Sequence, residues 1–317
     1  MVVTQHISGG VQVFERSYED SFEHLESEVL DSSHKQHHVE IHGDVFENGL
    51  DGIGSFLLQA KEVTCFGCSA EFIERVLNRC HSASVLNFTC CQLPTSLNCN
   101  RLLTVARFDQ CVGSPVPTKG VSAKTVVVRL PCDNNCYIDL LKGCQLFFID
   151  GRHQSLSSDI DYCHLFPHRL SGFHGNWMSI DEDAFGKLIS IDSVNISISG
   201  TVRLGAAATQ CDFVTTCASL NLRHLLFEDA EIFLRILRNQ NSIEHIELPE
   251  CRFDEVIVGF LGSLPKLQSL SLDTCTTFRV PKGVILLNVR HVLISTQQKR
   301  WLKKLAAILP NAEIFVP

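Results

Sequence analysis

The sequence predicts an α/β repeat protein in which short parallel strands lie side by side, each followed by a helix or an irregular segment that returns the chain. Three observations carry this expectation. Ile243 to Cys251 reads IEHIELPEC and Leu267 to Cys275 reads LQSLSLDTC, two nonapeptides of the form L-x-x-L-x-L-x-x-C that begin 24 residues apart. An apolar position that would close a strand recurs at Ile41, Phe66, Phe88, Phe108, Leu130, Ile149, Phe173, Ile198, Phe227, Leu248, Leu272, Ile294 and Val316, in steps of 19 to 29 residues. Between these positions several segments change from alternating to helical apolar spacing.

The elements follow in order. Residues 1–37 are rich in acid, with Glu15, Glu19, Asp20, Glu23, Glu26, Glu28 and Asp31. Phe22, Leu25, Val29 and Leu30 stand there at helical spacing, which suits an amphipathic terminal cap with a polar outer face, or an arm ahead of the repeats. Residues 38–317 then form about twelve units. Val39-Glu40-Ile41-His42 alternates as a strand with one buried face. Glu71 to Cys80 places Phe72, Ile73, Val76 and Leu77 on one helical stripe; Asp254 to Leu264 does so with Val256, Ile257, Phe260 and Leu261, and Gln297 to Ile308 with Trp301, Leu302, Leu305 and Ile308. The returns around 112–124 and 151–170 are too polar and too interrupted by Pro and Gly for full helices. Leu222, Leu225 and Phe227 match Ile243, Ile246 and Leu248 one period earlier. A strand with one short helix cannot bury its apolar face alone, so neighbouring units must supply the core. A doubly wound sheet also alternates strand and helix, but its unit needs about 30 residues or more, longer than the steps seen here.

Composition narrows the function. Apolar residues make up 45% and charged residues 20%, a globular balance. No apolar run reaches the length of a membrane helix, and the first residues lack a signal peptide's pattern, so a cytoplasmic protein without membrane contact is expected. The formal net charge of −8 argues against a nucleic-acid partner. The densest basic group, Lys299, Arg300, Lys303 and Lys304, suits the solvated face of the last helix.

Fifteen cysteines are present. Cys68, Cys90, Cys111, Cys132, Cys251 and Cys275 follow candidate strands by two or three residues, and Gly43, Gly151, Gly175 and Gly200 fall in equivalent places. This points to a ladder of reduced thiols filling turns, each acting as a small apolar residue. Cys65 and Cys68 form a single C-x-x-C without a second pair at zinc-finger distance. Cys163, His164, His168 and His174 form a looser group, and His34, His37, His38 and His42 crowd the first strand. Nucleophile-elbow, zinc-protease, Walker and dinucleotide-binding motifs are all missing, so no catalytic, cofactor or metal residue is assigned. Asn87-Phe88-Thr89 and Asn195-Ile196-Ser197 match a glycosylation acceptor but fall within predicted strands.

The nonapeptides at Ile243–Cys251 and Leu267–Cys275 resemble the leucine-rich-repeat superfamily, especially its cysteine-containing variety. The match is strong over about residues 220–317 and continues as periodicity back to about 38. The resemblance implies a curved solenoid with a concave parallel sheet and helices or irregular segments on the convex side. It also implies a non-enzymatic module that binds a protein partner through the concave sheet and edge loops. The residues between the apolar strand positions would then face that surface: Glu40, His42, Asn87, Arg107, Asp109, Arg129, Phe148, Asp150, Ser197, Glu247, Ser271 and Asp273. Their mixture of both charges, small polar groups and one aromatic suits a protein surface. Two alternatives stay open. One is a substrate-recognition adaptor of a ubiquitin ligase lacking its own F-box. The other is a zinc- or thiol-dependent enzyme or sensor using the Cys163–His174 group or Cys65 and Cys68.

Overall fold

The computed structural model describes residues 3–7, 11–16, 36–44, 54–94, 96–97, 102–113, 116–117, 122–132, 138–156, 165–166, 168–203, 217, 219–222, 225–227, 234, 237, 240–248, 252–273, 275, 277–279 and 283–316. The chain divides into two compact units, Met1–Cys144 and Gln145–Pro317.

The first unit begins with an antiparallel hairpin of β1 (Val3–Ile7) and β2 (Val11–Arg16), and β2 pairs antiparallel with β3 (Gln36–His42). The acidic segment read as a possible helix around Phe22 to Leu30 lies outside the described residues. From β3 onward each strand is parallel to the next, through β4 (Glu62–Phe66), β5 (Val85–Thr89), β6 (Leu102–Asp109) and β7 (Ser122–Arg129). Parallel neighbours require a crossover. Helices α1 (Gly54–Gln59) and α2 (Ala70–Leu77) provide the first two. The spacing of α2 behaves as the sequence predicts: Phe72, Ile73, Val76 and Leu77 are buried, and the Ser69 side chain caps the helix by accepting from the Phe72 N–H. Among the described residues the later returns hold the short paired strands Ser96–Leu97 and Val116–Pro117, a Gln92–Val112 bridge and a 3-10 helix at Ile138–Gly143.

Two rows of buried side chains fill the interior. Val39, Val63, Leu86, Ala106 and Val126 stand in one register, and Ile41, Cys65, Phe88, Phe108 and Val128 in the other. Phe88 and Phe108 stack with centroids 5.7 Å apart. The periodic series placed Phe66 and Leu130 in this row. The structure replaces them with Cys65 and Val128, because Phe66 pairs with His42 on the opposite face and Leu130 follows the end of β7. Adjacent apolar residues such as Cys65 and Phe66 leave the inward one undecided by pattern alone.

Strands β3 to β6 end in the same turn. Gly43, Gly67, Cys90 and Gln110, two residues beyond Ile41, Cys65, Phe88 and Phe108, all have left-handed backbone, with φ of 69°, 60°, 53° and 52°. Their N–H groups donate to Phe66, Thr89, Asp109 and Arg129 carbonyls at 2.7, 2.9, 2.8 and 3.3 Å. After Gly67, Cys90 and Gln110 the next residue points inward. Cys91 Sγ lies 3.2 Å from the Cys65 carbonyl and 3.3 Å from that of Thr89, while Cys111 Sγ lies 3.3 Å from Phe88 O and 3.4 Å from Asp109 O. Cys68 Sγ sits 3.5 Å from both Gly43 O and Phe66 O. The inward thiol is therefore Cys91; Cys90, expected in that role, is exposed because it supplies the left-handed turn.

The second unit is a parallel run of β8 (Leu146–Leu156), β9 (Leu170–Asp181), β10 (Ser193–Arg203) and β11 (Ser219–Leu222), with β12 (Leu225–Phe227) pairing back on β10. It continues through β13 (Ile243–Glu247), β14 (Ser269–Ser271), β15 (His291–Leu293) and β16 (Glu313–Phe315). The register corrects two sequence positions. Phe173 aligns with Phe147, while Ile149 aligns with Gly175 and Ile198. Leu220 and Leu222, rather than Leu225 and Phe227, stand beside Ile243 and Ile246. Gly151, Gly175 and Gly200 lie within strands and do not fill turns.

Helix α3 (Glu182–Ile189) follows β9 and is capped by Asp181, whose carboxylate accepts from the Ala184 N–H at 2.7 Å. The sequence reading passed over it. Helix α4 (Glu255–Gly262) forms as expected, capped by Asp254, but Val258 takes the buried place assigned to Val256, which is 62% exposed. The last helical stretch divides into a 3-10 turn, Thr296–Trp301, and α5 (Leu302–Ile308). Buried Gln298 donates its amide to Leu272 O at 2.7 Å and Cys275 O at 2.8 Å, satisfying carbonyls of the preceding turn. From β3 onward the main strands of both units are parallel and in register, each separated from the next by a returning segment. The fold is a leucine-rich-repeat solenoid, α/β in class.

Two consequences are measurable by urea unfolding. Gly at Cys90 or Gln110 relieves a left-handed side-chain conformation, so C90G and Q110G should each stabilise by about 0.5–1 kcal/mol, net of glycine's greater unfolded freedom. At Gly175 an added Cβ would come 2.2 Å from the buried Trp177 ring. G175A should therefore cost about 1–3 kcal/mol, whereas G259A, with open space around its Cβ in α4, should stabilise by about 0.5–1 kcal/mol.

Candidate functional site

Alternation along the strands turns every second side chain away from the core. In the first unit this open face carries a row of Glu40, Thr64, Asn87, Arg107 and Val127, flanked by His38 beside Glu62 and by His42, Phe66, Thr89, Asp109 and Arg129. Six of the residues read from sequence are thus on adjacent positions of one surface: Glu40, His42, Asn87, Arg107, Asp109 and Arg129. Glu62 and Thr64 were not named from the sequence, which marked His38 only among the histidines of the first strand and Phe66 only as an apolar strand position.

The side chains are tied across strands. Asn87 Nδ2 donates to Glu62 Oε1 at 2.7 Å and to Thr64 Oγ1 at 2.9 Å, and its Oδ1 accepts from Arg107 Nη1 at 3.1 Å. His38 is buried, with Nε2 3.0 Å from Thr64 Oγ1 and 3.6 Å from Glu40 Oε1, and Nδ1 3.8 Å from Glu62 Oε2. Glu40 also lies 3.7 Å from His42, whose ring stacks on Phe66 at 4.5 Å and 6°. Arg129 pairs with Asp109 at 3.2 Å but is 63% exposed in its side chain. Water and salt keep such a pair weak.

Thr64, His38 and Glu62 follow the order hydroxyl, imidazole, carboxylate. One distance, one burial and one hydrogen bond argue against nucleophilic use. The imidazole–carboxylate separation of 3.8 Å is beyond a hydrogen bond. Thr64 is 5% exposed and its oxygen already accepts from Asn87. The group holds the face in one arrangement and presents its charged rim. Among the described residues no three or more His, Cys, Asp or Glu side chains are placed to hold a metal ion. No helix among them is long and apolar enough to cross a membrane.

The remaining named residues lie on the second unit. Phe148 stacks on His174 at 4.5 Å and 6°, and Ser197 follows His174 in register. Asp150 accepts from Arg152 Nε at 3.0 Å and Nη2 at 2.9 Å. Glu247 is in register with Ser271, whose hydroxyl donates to Asp273 Oδ1 at 2.7 Å. Beyond Ser271 the same row reaches exposed Leu293 and Phe315, apolar residues that strand counting leaves unmarked. Cys163 and His164 lie outside the described residues; His168 is exposed, and His174 belongs to the aromatic stack.

No protein-family model matches the chain. No curated protein matches it. Among solved structures, the TLR13–ssRNA13 complex is similar over 86% of this chain and 49% of that one, with 12% identity and a TM-score of 0.44. A leucine-rich-repeat protein of Leptospira interrogans is similar over 85% of this chain and 92% of that one, with 11% identity and a TM-score of 0.29. This chain spans about half the length of the first. Its fold is assigned from strand register and the repeated turn.

Removing Asn87 leaves Glu62, Thr64 and Arg107 short of a shared partner. N87A should destabilise by about 1–3 kcal/mol, and R129A by less than about 1 kcal/mol, both read from chemical denaturation. Burial lowers the pKa of His174. A histidine depressed on folding contributes stability that is full above its unfolded pKa of about 6.5 and declines as pH falls through the window below it. Unfolding free energy measured from pH 7.5 to 5 should show this decline, and H174Q should reduce its slope.

Proposed function

We propose that this chain is a non-enzymatic protein-binding module whose open sheet face engages a protein partner, with the first unit providing the principal contact. The observation that supports this most directly is the network from His38 through Thr64 and Asn87 to Glu62 and Arg107, which orders polar groups of both charges on a surface. Pre-ordered side chains lose less entropy on association than mobile ones. Opposite charges along one face select register and partner more than they add affinity. Glu40, His42, Asn87, Arg107, Asp109 and Arg129 form the proposed contact in the first unit. Phe148, Asp150, Ser197, Glu247, Ser271 and Asp273 form a second set. The finer role of a ubiquitin-ligase adaptor has no particular residue in its support.

The test is quantitative capture from native extract with three baits. Wild type and an E255K control, altered on exposed helix α4, should retain the same proteins. The R107E/R129E double variant should lose at least one of them by tenfold or more. Identical profiles for all three baits would remove the open face of the first unit as the binding surface.

A further inference from the structure

The last two repeats carry charge of one sign. Residues 274–312 hold seven of the chain's 27 Lys and Arg and none of its 35 Asp and Glu. Arg279, Arg290, Lys299, Arg300, Lys303 and Lys304 are among the described residues, and all are exposed. The ion pairs among the described residues lie elsewhere. The whole chain stands at −8, so the positive excess is local.

Ring contacts and backbone bonds gather these cations around exposed apolar groups. Phe278 stacks on half-buried Trp301 at 4.4 Å, which brings Arg279 beside the last helical stretch. The Arg300 guanidinium lies 4.2 Å from the same indole. Leu286 N donates to Ile308 O at 2.7 Å, and Asn311 Nδ2 donates to Leu287 O at 3.1 Å. Ile285 and Leu287 therefore flank the C-terminal end of α5, about one helical turn from Lys304. They are 56% and 58% exposed, and Ala306 and Ala307, which follow the lysines on α5, are exposed as well.

Three kinds of anionic partner could meet such a surface, and its side chains discriminate among them. Single-stranded nucleic acid needs a free aromatic face on which to stack. Phe278 and Arg300 at these distances cannot share one face of Trp301, so both faces are covered. Exposed Ile285 and Leu287 have no counterpart on a phosphate backbone. Protein interfaces deplete Lys and fix their charges in register. Here three of the four cations on the last helical stretch are Lys, and no ion pair among the described residues orders them. Lipid headgroups accept cations without fixed register, while aliphatic side chains enter the boundary with the acyl chains.

We propose that the returning side of the last two repeats adsorbs to a membrane surface rich in anionic phospholipid. Lys299, Arg300, Lys303 and Lys304 meet the headgroups, and Ile285 and Leu287 enter the interface beside them. Adsorption of this kind needs no spanning segment, which is all that hydropathy excluded. Each cation held at such a surface multiplies binding about fivefold.

The test is co-sedimentation of the full chain with vesicles of phosphatidylcholine and phosphatidylserine, about three to one, at about 0.1 M salt. Wild type should bind these vesicles at least tenfold more strongly than phosphatidylcholine alone. K303E/K304E should lose at least tenfold, whereas K61E/K142E, exposed in the first unit and equal in charge change, should bind as wild type does. Brominated acyl chains should quench wild-type tryptophan emission through Trp301, because Trp177 is buried, and this readout depends on no variant. Equal binding to neutral vesicles, unchanged binding by K303E/K304E, equal loss in K61E/K142E or absence of quenching would each overturn the assignment. Capture of polyuridylate or polyglutamate by a chain that ignores anionic vesicles would give the surface to another partner and overturn it equally.

Discussion

The strand-ending turn is the constraint on which the first unit depends. Its left-handed residue sends an N–H to the next strand and, at Gly67, Cys90 and Gln110, turns the following side chain back over the core. Without this reversal the carbonyls at the strand ends would face an apolar interior unpaired, at a cost comparable to a lost hydrogen bond for each. Where Cys follows the turn, its sulfur meets those carbonyls; in the second unit the amide of Gln298 meets the Leu272 and Cys275 carbonyls beyond β14.

Because the turn and the two interior rows hold each repeat, the residues facing away from the core are released from packing. The first unit uses that freedom to build a connected polar network, while the second carries an aromatic stack, a serine–aspartate pair and two exposed apolar residues. The same scaffold supports these different surfaces because alternation separates the side chains that form the core from those that meet solvent.

The fold class was legible because parallel register repeats an apolar requirement at a near-constant interval, and IEHIELPEC and LQSLSLDTC display it without interruption. Register within the interval was less legible. In TCF either apolar side chain could point inward, and only pairing with Ile41 selects Cys65 over Phe66. Leu225 and Phe227 mimic the repeat by spacing but pair with Gly200 and Val202. The open-face positions followed from alternation once a strand was placed. Thr64 escaped notice, and His38 stood out only as one of four crowded histidines, because their significance lies in cross-strand contacts, which no local pattern encodes. Cys90 and Cys91 are adjacent cysteines with opposite roles, distinguished only by the sign of φ.

The repeated turn also determines where this chain can change length. In the first unit, Ile41 to Cys65 spans more residues than Phe88 to Phe108, yet the stretch from each of these core residues through its turn has one fixed count. All variation in repeat length is absorbed by the returning segments. Insertions there alter only the loop, whereas deletion of a single residue between Phe88 and Cys91 would rotate an inward thiol outward and break contact with both neighbouring repeats. Length is therefore a local property on one side of the stack and a collective one on the other.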